Sequence, residues 1–183
     1  GRYSNWCIAL GARISRHNLD VMQAGEGTEF SIEGLALIGG RQLADTSSLI
    51  DHAHPHGRSR QIHKTVVGGG AHSVFNGKIL VRQDAQQTDS GQQSRNLLLS
   101  DKARVDTKPQ LEIFADDVKC AHGATVGQIE ADELFYLKSR GLSDATARNL
   151  LTYAFAAEII EHIPVKSLVE RLKNNVLEQT RIK

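Results

Sequence analysis

The period of the apolar residues changes once along this chain, near residue 129, and that switch constrains the fold more than any other feature. Before it, short apolar stretches alternate with turn-like clusters: FSIEGLALI (30–38), SSLID (47–51), QIHKTVV (61–67), VFNGKILV (74–81), NLLL (96–99) and QLEIFADDV (110–118). Pairs such as Phe30 and Ile32, or Leu111 and Ile113, put apolar side chains on one face at period two, as strands do. Gly39-Gly40, Gly68-Gly69-Gly70 and Asn76-Gly77 punctuate these stretches. No convincing helical stretch interrupts this half, so it reads as all-β. Pattern alone leaves two architectures open. One is a sandwich or barrel, for which Asn76-Gly77 is the strong hairpin signal. The other is a parallel β-helix, whose stacked rungs carry apolar side chains in the bore.

After the switch the spacing becomes helical. EADELFYLKSRG (130–141) ends at Gly141, a suitable C′ glycine. Ser143 is placed to cap a long helix through DATARNLLTYAFAAEIIEHI, and Pro164 stops it. Leu150, Leu151, Ala154, Phe155, Ala157 and Ile159 form its expected apolar face. A last helix over 164–179, with Pro164 at its start, spaces Val165, Leu168, Val169, Leu172, Val176 and Leu177 on one side. Residues 1–128 thus read as a β body and residues 129–183 as a helical domain. Such a tail buries too little alone, so its apolar faces need the β body or a partner.

Composition narrows the function classes. A formal charge of +1 gives no general electrostatic reason to bind nucleic acid. No apolar run approaches the ~20 residues needed to span a bilayer, and no signal peptide is visible. Cys7 and Cys120 lie far apart, which is not a disulfide framework and fits a reducing compartment. The chain opens GRYSNW without a Met, and Met22 is its only methionine, as expected of the C-terminal part of a longer protein.

Several motifs carry possible chemistry. In DHAHPH (51–56), His52, His54 and His56 would share one strand face and could ligate zinc. Pro55 argues against a regular strand there, so a solvated loop is the simpler reading. The glycines 68–70 could cradle a phosphate, but another strand follows them rather than a helix, which favours a tight corner. Asp116 and Asp117 are adjacent and point to opposite strand faces, so they fit polar corner residues better than an acid/base pair. Arg58, Arg60 and Lys64 read as a small basic patch on a solvated face. Cys120 and His122, in ADDVKCAHGATVG (115–127), lie on the same face of a strand with Cβ atoms roughly 6–7 Å apart. Such a pair could offer two ligands to a metal cluster, form a catalytic pair, or simply line a strand interior. Spacing alone favours the strand interior, since cysteine is among the most buried residues.

Longer strings add a resemblance. RSRQIHKTVVGGGAHSVFNGKILV, NLLLSDKARVDTKPQLEIFADDVKCAHGATVG and FYLKSRGLSDATARNLLTYAFAAEII resemble the SufB/SufD family, subunits of the SufBCD iron–sulfur cluster assembly scaffold. The likeness runs over most of residues 40–165. VDTKPQLEIFADDVKCAHGATVG is of the SufD type, and no cysteine stands near NLLLSDKARV, where a SufB-type chain is expected to carry an essential one.

The resemblance implies a right-handed parallel β-helix (the C-terminal rungs of its core, residues 1–128) followed by a small α-helical domain at 129–183 that docks the SufC ATPase. It implies a non-enzymatic scaffold subunit that pairs with SufB through β-helix edges. His122 is then the proposed ligand of the nascent cluster at the SufB–SufD interface, with Cys120 as a second candidate. Tyr136, Arg140 and Tyr153 are the candidate SufC contacts. The cofactor implied is a transient iron–sulfur cluster in the complex with SufB, with none tightly bound by the isolated chain; flavin in the complex is left open. The isolated chain could also pair with itself. Bacterial cytoplasm and plastid stroma both suit such a protein. The competing reading is a carbohydrate-active or acyl-transferring enzyme, since those chemistries also occur on β-helices.

Overall fold

Alternating side chains commit each β segment to one inward and one outward face, and the chain satisfies both by coiling. The computed structural model describes residues 1–179, with side chains through Val176, so the side chain of Leu177 lies outside the described residues. The strands are β1 (Arg2–Leu10), β2 (Ile14–Gln23), β3 (Glu29–Ile38), β4 (Leu43–His52), β5 (Arg58–Val67), β6 (His72–Val81), β7 (Asp89–Leu98), β8 (Arg104–Ile113) and β9 (Lys119–Gln128). Odd-numbered strands form one sheet in the order β1-β3-β5-β7-β9, and β2-β4-β6-β8 form the other. Every pairing is parallel. The result is a β-solenoid of about four turns. The parallel β-helix is therefore the architecture, and the sandwich or barrel is excluded.

Equivalent positions recur at Arg2, Glu29, Arg58, Asp89 and Lys119, a turn of about thirty residues. Residues in register stack into columns along the solenoid. Asn5, Ile32, Gln61, Gln92 and His122 form one inward column, and Tyr3, Phe30, Ser59, Ser90 and Cys120 form its neighbour.

The bore is not uniformly apolar, contrary to the expectation for such a fold. One apolar cluster gathers Phe30, Ile32, Ile50, Ile79 and Val81, and another gathers Ile38, Ala44, Val67 and Ala71. Among them runs a buried polar band. Gln61 Nε2 donates to Ser48 Oγ across the sheets at 2.8 Å, and Thr107 Oγ1 donates to Ser94 Oγ at 2.9 Å. His63 stacks on Phe75 with ring centroids 4.6 Å apart. Most of these buried polar side chains find partners inside the bore, while His63 Nε2, Thr65 Oγ1, Gln92 Oε1 and Asn96 Oδ1 have none among the described residues.

Two glycine motifs resolve differently. The glycines 68–70 form a tight corner stacked on the corner of the preceding turn. Gly69 and Gly40 both adopt positive φ (61° and 60°), and a Cβ on Gly69 would lie 2.9 Å from the Gly40 nitrogen. Asn76-Gly77, by contrast, is no hairpin turn and sits in the middle of β6. Gly77 faces inward, and a Cβ there would lie 2.4 Å from Gln92 Nε2 and 2.7 Å from Phe75 Cζ. The turn signal is overridden by a demand for space.

Helices α1 (Ala131–Ser139), α2 (Asp144–Ile160) and α3 (Lys166–Gln179) follow the last strand. Ser143 caps α2 by accepting the Thr146 backbone N–H at 3.2 Å, and Gly141 ends the preceding turn with φ 90°. Pro164 lies just outside α3 rather than within its first turn. The buried residues of α2 are Ala147, Thr152, Ala156, Ala157, Ile159 and Ile160, which include Ala157 and Ile159 of the expected face, whereas Leu150 and Ala154 are exposed. Ala156, Ile159 and Ile160 join Leu172 and Val176 of α3 against Leu35, Leu37, Val66 and Leu97 on the outer face of the odd-numbered sheet. The helices thus bury their apolar faces on the β body.

Lys64 corrects the basic-patch reading. It is 2% exposed, covered by α2, and its Nζ donates to the Phe155 carbonyl oxygen at 2.9 Å and to the Glu158 carboxylate. Arg58 and Arg60 both stay exposed as expected, with Arg60 making a two-pronged bond to Asp89 at 2.9 and 2.8 Å.

Candidate functional site

The site is built where the odd-numbered sheet ends. β9 pairs with β7 on one side, and among the described residues no strand pairs with its other edge. Its inward positions therefore continue the columns of the bore but lack a further rung above them. Cys120 follows Ser90 in its column and packs against the rim of the apolar cluster that holds Ile79 and Ala115. It is half-buried. Burial pushes the thiol up from its ordinary value, the Ser90 backbone hydrogen bond pulls it partly back, and the Asp89 carboxylate adds to the rise. In the chain as it stands, Cys120 is a protonated thiol at neutral pH.

His122 follows Gln92 in the adjacent column and is exposed. It has no hydrogen-bond or ion-pair partner among the described residues. Its ring is free to ligate, and its position two residues from Cys120 sets both donors on one face of an open strand. Two donors are an incomplete set for a metal or cluster, which takes four in structural zinc sites and in thiolate-held iron–sulfur clusters. Among the described residues no cluster of three or more His, Cys, Asp or Glu side chains is arranged to hold a metal ion.

The histidines of DHAHPH do not converge. His52 ends β4 inside the bore, where Nδ1 meets Gln23 Oε1 at 3.0 Å and Nε2 meets Ser59 Oγ at 2.9 Å. Burial lowers its pKa to about 4, against a smaller opposing pull from Asp51, so the ring is neutral. His54 and His56 are exposed on the following corner, and His56 adopts a φ of 59°. Asp116 and Asp117 sit on the corner before β9, where the Asp117 N–H donates to Gln86 Oε1 at 2.9 Å.

The three helical candidates separate into two environments. Arg140 lies over the Tyr136 ring, 3.5 Å from its centroid, and both are exposed. Phe135 beside them is 74% exposed. Tyr153 is on the other helix, half-buried against the sheet–helix core. The structure therefore brings Tyr136 and Arg140 together and sets Tyr153 apart. Phe135 was legible only as an apolar helix residue; its exposure is what marks it as a surface feature.

A family model described as SUF system FeS cluster assembly, SufBD core domain, matches residues 1–155. The chain belongs to the SufBD core-domain family. It is 53% identical over 175 residues to an iron–sulfur cluster assembly SufBD family protein of Synechocystis, covering 96% of this chain and 39% of that protein. It is 44% identical to the iron–sulfur cluster assembly protein SufD of Escherichia coli, covering 89% and 38%. It is 40% identical to the chloroplastic protein ABCI7 of Arabidopsis thaliana, covering 92% and 36%. The chain thus spans about two-fifths of the length of these SufBD relatives. No helix among the described residues is long and apolar enough to cross a membrane.

Proposed function

We propose that the chain is a non-enzymatic scaffold segment for iron–sulfur cluster assembly, in which His122 ligates the nascent cluster. The observation that carries this reading is the place of His122: the last inward position of its column, exposed at an open sheet edge, with no partner among the described residues. A neutral imidazole binds iron more weakly and more reversibly than a thiolate, which suits a scaffold that must release its cargo. The remaining ligands come from a second chain, SufB, whose β-helix meets the free edge of β9. Cys120 is the further donor on this side, available once cluster binding displaces its proton.

The C-terminal segment, 129–183, is the docking unit for the SufC ATPase, and residues 1–128 are the cluster-bearing unit. Tyr136 and Arg140, with Phe135, form the contact surface, and Tyr153 supports it from the core side. In the absence of SufB, the same free edge allows the chain to pair with itself. Its compartment is the bacterial cytoplasm or the plastid stroma, in keeping with relatives from both kinds of organism.

Anaerobic reconstitution with SufB and SufC tests the reading. His122→Ala is expected to leave the fold and partner binding intact while cluster formation, followed by visible absorbance, is impaired. Cluster formation at the native rate in that variant removes His122 from the mechanism.

A further inference from the structure

The polar column behind His122 is ordered by a chain of side-chain amides. Gln61 Nε2 donates to Ser48 Oγ at 2.8 Å, and Gln92 Nε2 donates to Gln61 Oε1 at 2.7 Å. Each bond fixes the orientation of the next amide. With its nitrogen committed to Gln61, Gln92 keeps Oε1 as its side-chain acceptor, and that oxygen is buried with no partner among the described residues. Gln92 itself is 1% exposed. A buried amide oxygen left without a donor is unfavourable unless something donates to it. On the side away from Gln61, the next residue of the column is His122. The space for this arrangement is built in across the bore: only a residue without a Cβ at Gly77 leaves room for the Gln92 amide.

We propose that Gln92 is the positioning residue for His122: when the His122 ring, unpartnered in this structure, turns toward the column, the free Gln92 Oε1 accepts one ring N–H, which fixes the tautomer and leaves the other ring nitrogen facing the nascent cluster. Metal-ligating histidines generally donate their second N–H in this way, and the partner sets both ring orientation and ligand basicity. Gln92 never touches the cluster. It acts through His122, and Ser48 and Gln61 hold it in turn. The proposal rests on the reading of His122 as a ligand.

The test is the tautomeric state of His122, read from long-range ¹⁵N–¹H imidazole correlations of the ¹⁵N-histidine-labelled chain at a pH where the ring is neutral. The native chain is expected to show one tautomer, and Gln92→Met, which keeps volume and removes the acceptor, is expected to show a mixture. Should Gln92→Met fail to fold, Gln92→Asn shortens the amide by one methylene and serves the same comparison. A tautomeric mixture in the native chain overturns the proposal, as does a single tautomer that survives loss of the Gln92 amide. In the complex with SufB and SufC, Gln92→Met is expected to slow cluster formation about 10–100-fold. The two readings fail separately. Native cluster formation by His122→Ala sinks the ligand role and leaves the tautomer result standing, whereas a His122-dependent reaction indifferent to Gln92 sinks only the positioning role.

Discussion

Lys64 Nζ reaches out of β5 and donates to the backbone carbonyl oxygen of Phe155 in α2 at 2.9 Å, while also lying over the Phe155 ring, 4.4 Å from its centroid. The same ammonium pairs with Glu158, which Arg95 also approaches at 3.4 Å. The lysine is buried and the glutamate is 43% exposed, so the two partners are not equivalent. Removing the charge from the buried side leaves Glu158 able to rehydrate. Removing the carboxylate leaves a buried ammonium with only the Phe155 carbonyl oxygen and ring to offset its charge. Lys64→Met is therefore expected to change stability by about 1 kcal/mol or less, and Glu158→Ala to cost about 2–4 kcal/mol. Urea denaturation of both variants measures the difference, and equal losses would show that the two charges are equally solvated.

His63 gives the bore a pH dependence. Burial is the larger cause and the neighbouring His17 the smaller, and together they lower the His63 pKa to about 4 from an ordinary 6.5. The unfolded chain binds the proton first, so this contribution is complete above pH 6.5 and is lost as the pH falls toward 4. His52, also lowered to about 4, acts in the same direction. Stability is expected to fall by on the order of 1 kcal/mol per pH unit for each ring between those limits. His63→Phe should flatten the acid limb of a stability-against-pH curve; an unchanged limb would assign it to other groups.

Gly77→Ala tests the crowding of the bore. Its Cβ would press on Gln92 and Phe75 at distances no packed pair tolerates, and both belong to buried residues. A loss of about 1–3 kcal/mol is expected, seen as a lower Tm. A neutral outcome would mean that Gln92 has room to move, which bears directly on whether it can hold His122.

On the helices, Tyr136→Ala and Arg140→Ala remove an exposed cation–π contact and are expected to cost the fold under about 1 kcal/mol. Both should weaken SufC binding about tenfold or more, measured by calorimetry with the purified ATPase. Tyr153→Ala, half-buried in the core, should instead destabilise the chain by about 1–3 kcal/mol. Undiminished SufC affinity in all three would remove this surface from the docking assignment.

Strands were legible where an apolar half announced them, as in Phe30–Ile38 or Val74–Val81. They were not legible where the bore is polar. Asp89–Leu98 begins DSGQQSRN, which reads as a loop, yet Ser90, Gln92, Ser94 and Asn96 all point inward and are buried. Period-two reasoning looks for hydrophobicity, and here the alternation is between buried and exposed polar residues. For the same reason β1 and β2 gave no clear signal, and the turn of about thirty residues left no visible repeat. Lys64 was invisible as a buried residue, because only the docking of α2 takes it out of water. His122 was legible as a candidate from the longer string, whereas spacing alone favoured a strand interior. The column behind it needed the register of β7 on β9.

The ties between helix and solenoid have a mechanical consequence. His162, just after α2, meets Glu33 of β3 at 3.0 Å, Lys64 of β5 holds Phe155 and Glu158, and Arg95 of β7 reaches Glu158 from the next turn. α2 thus lies across three successive coils like a splint. A pull on the helices loads these coils in parallel, as shear, instead of peeling one turn from the next. Whatever grips the helical end can tug the whole block of turns as a rigid piece and carry the open edge at β9 along with it.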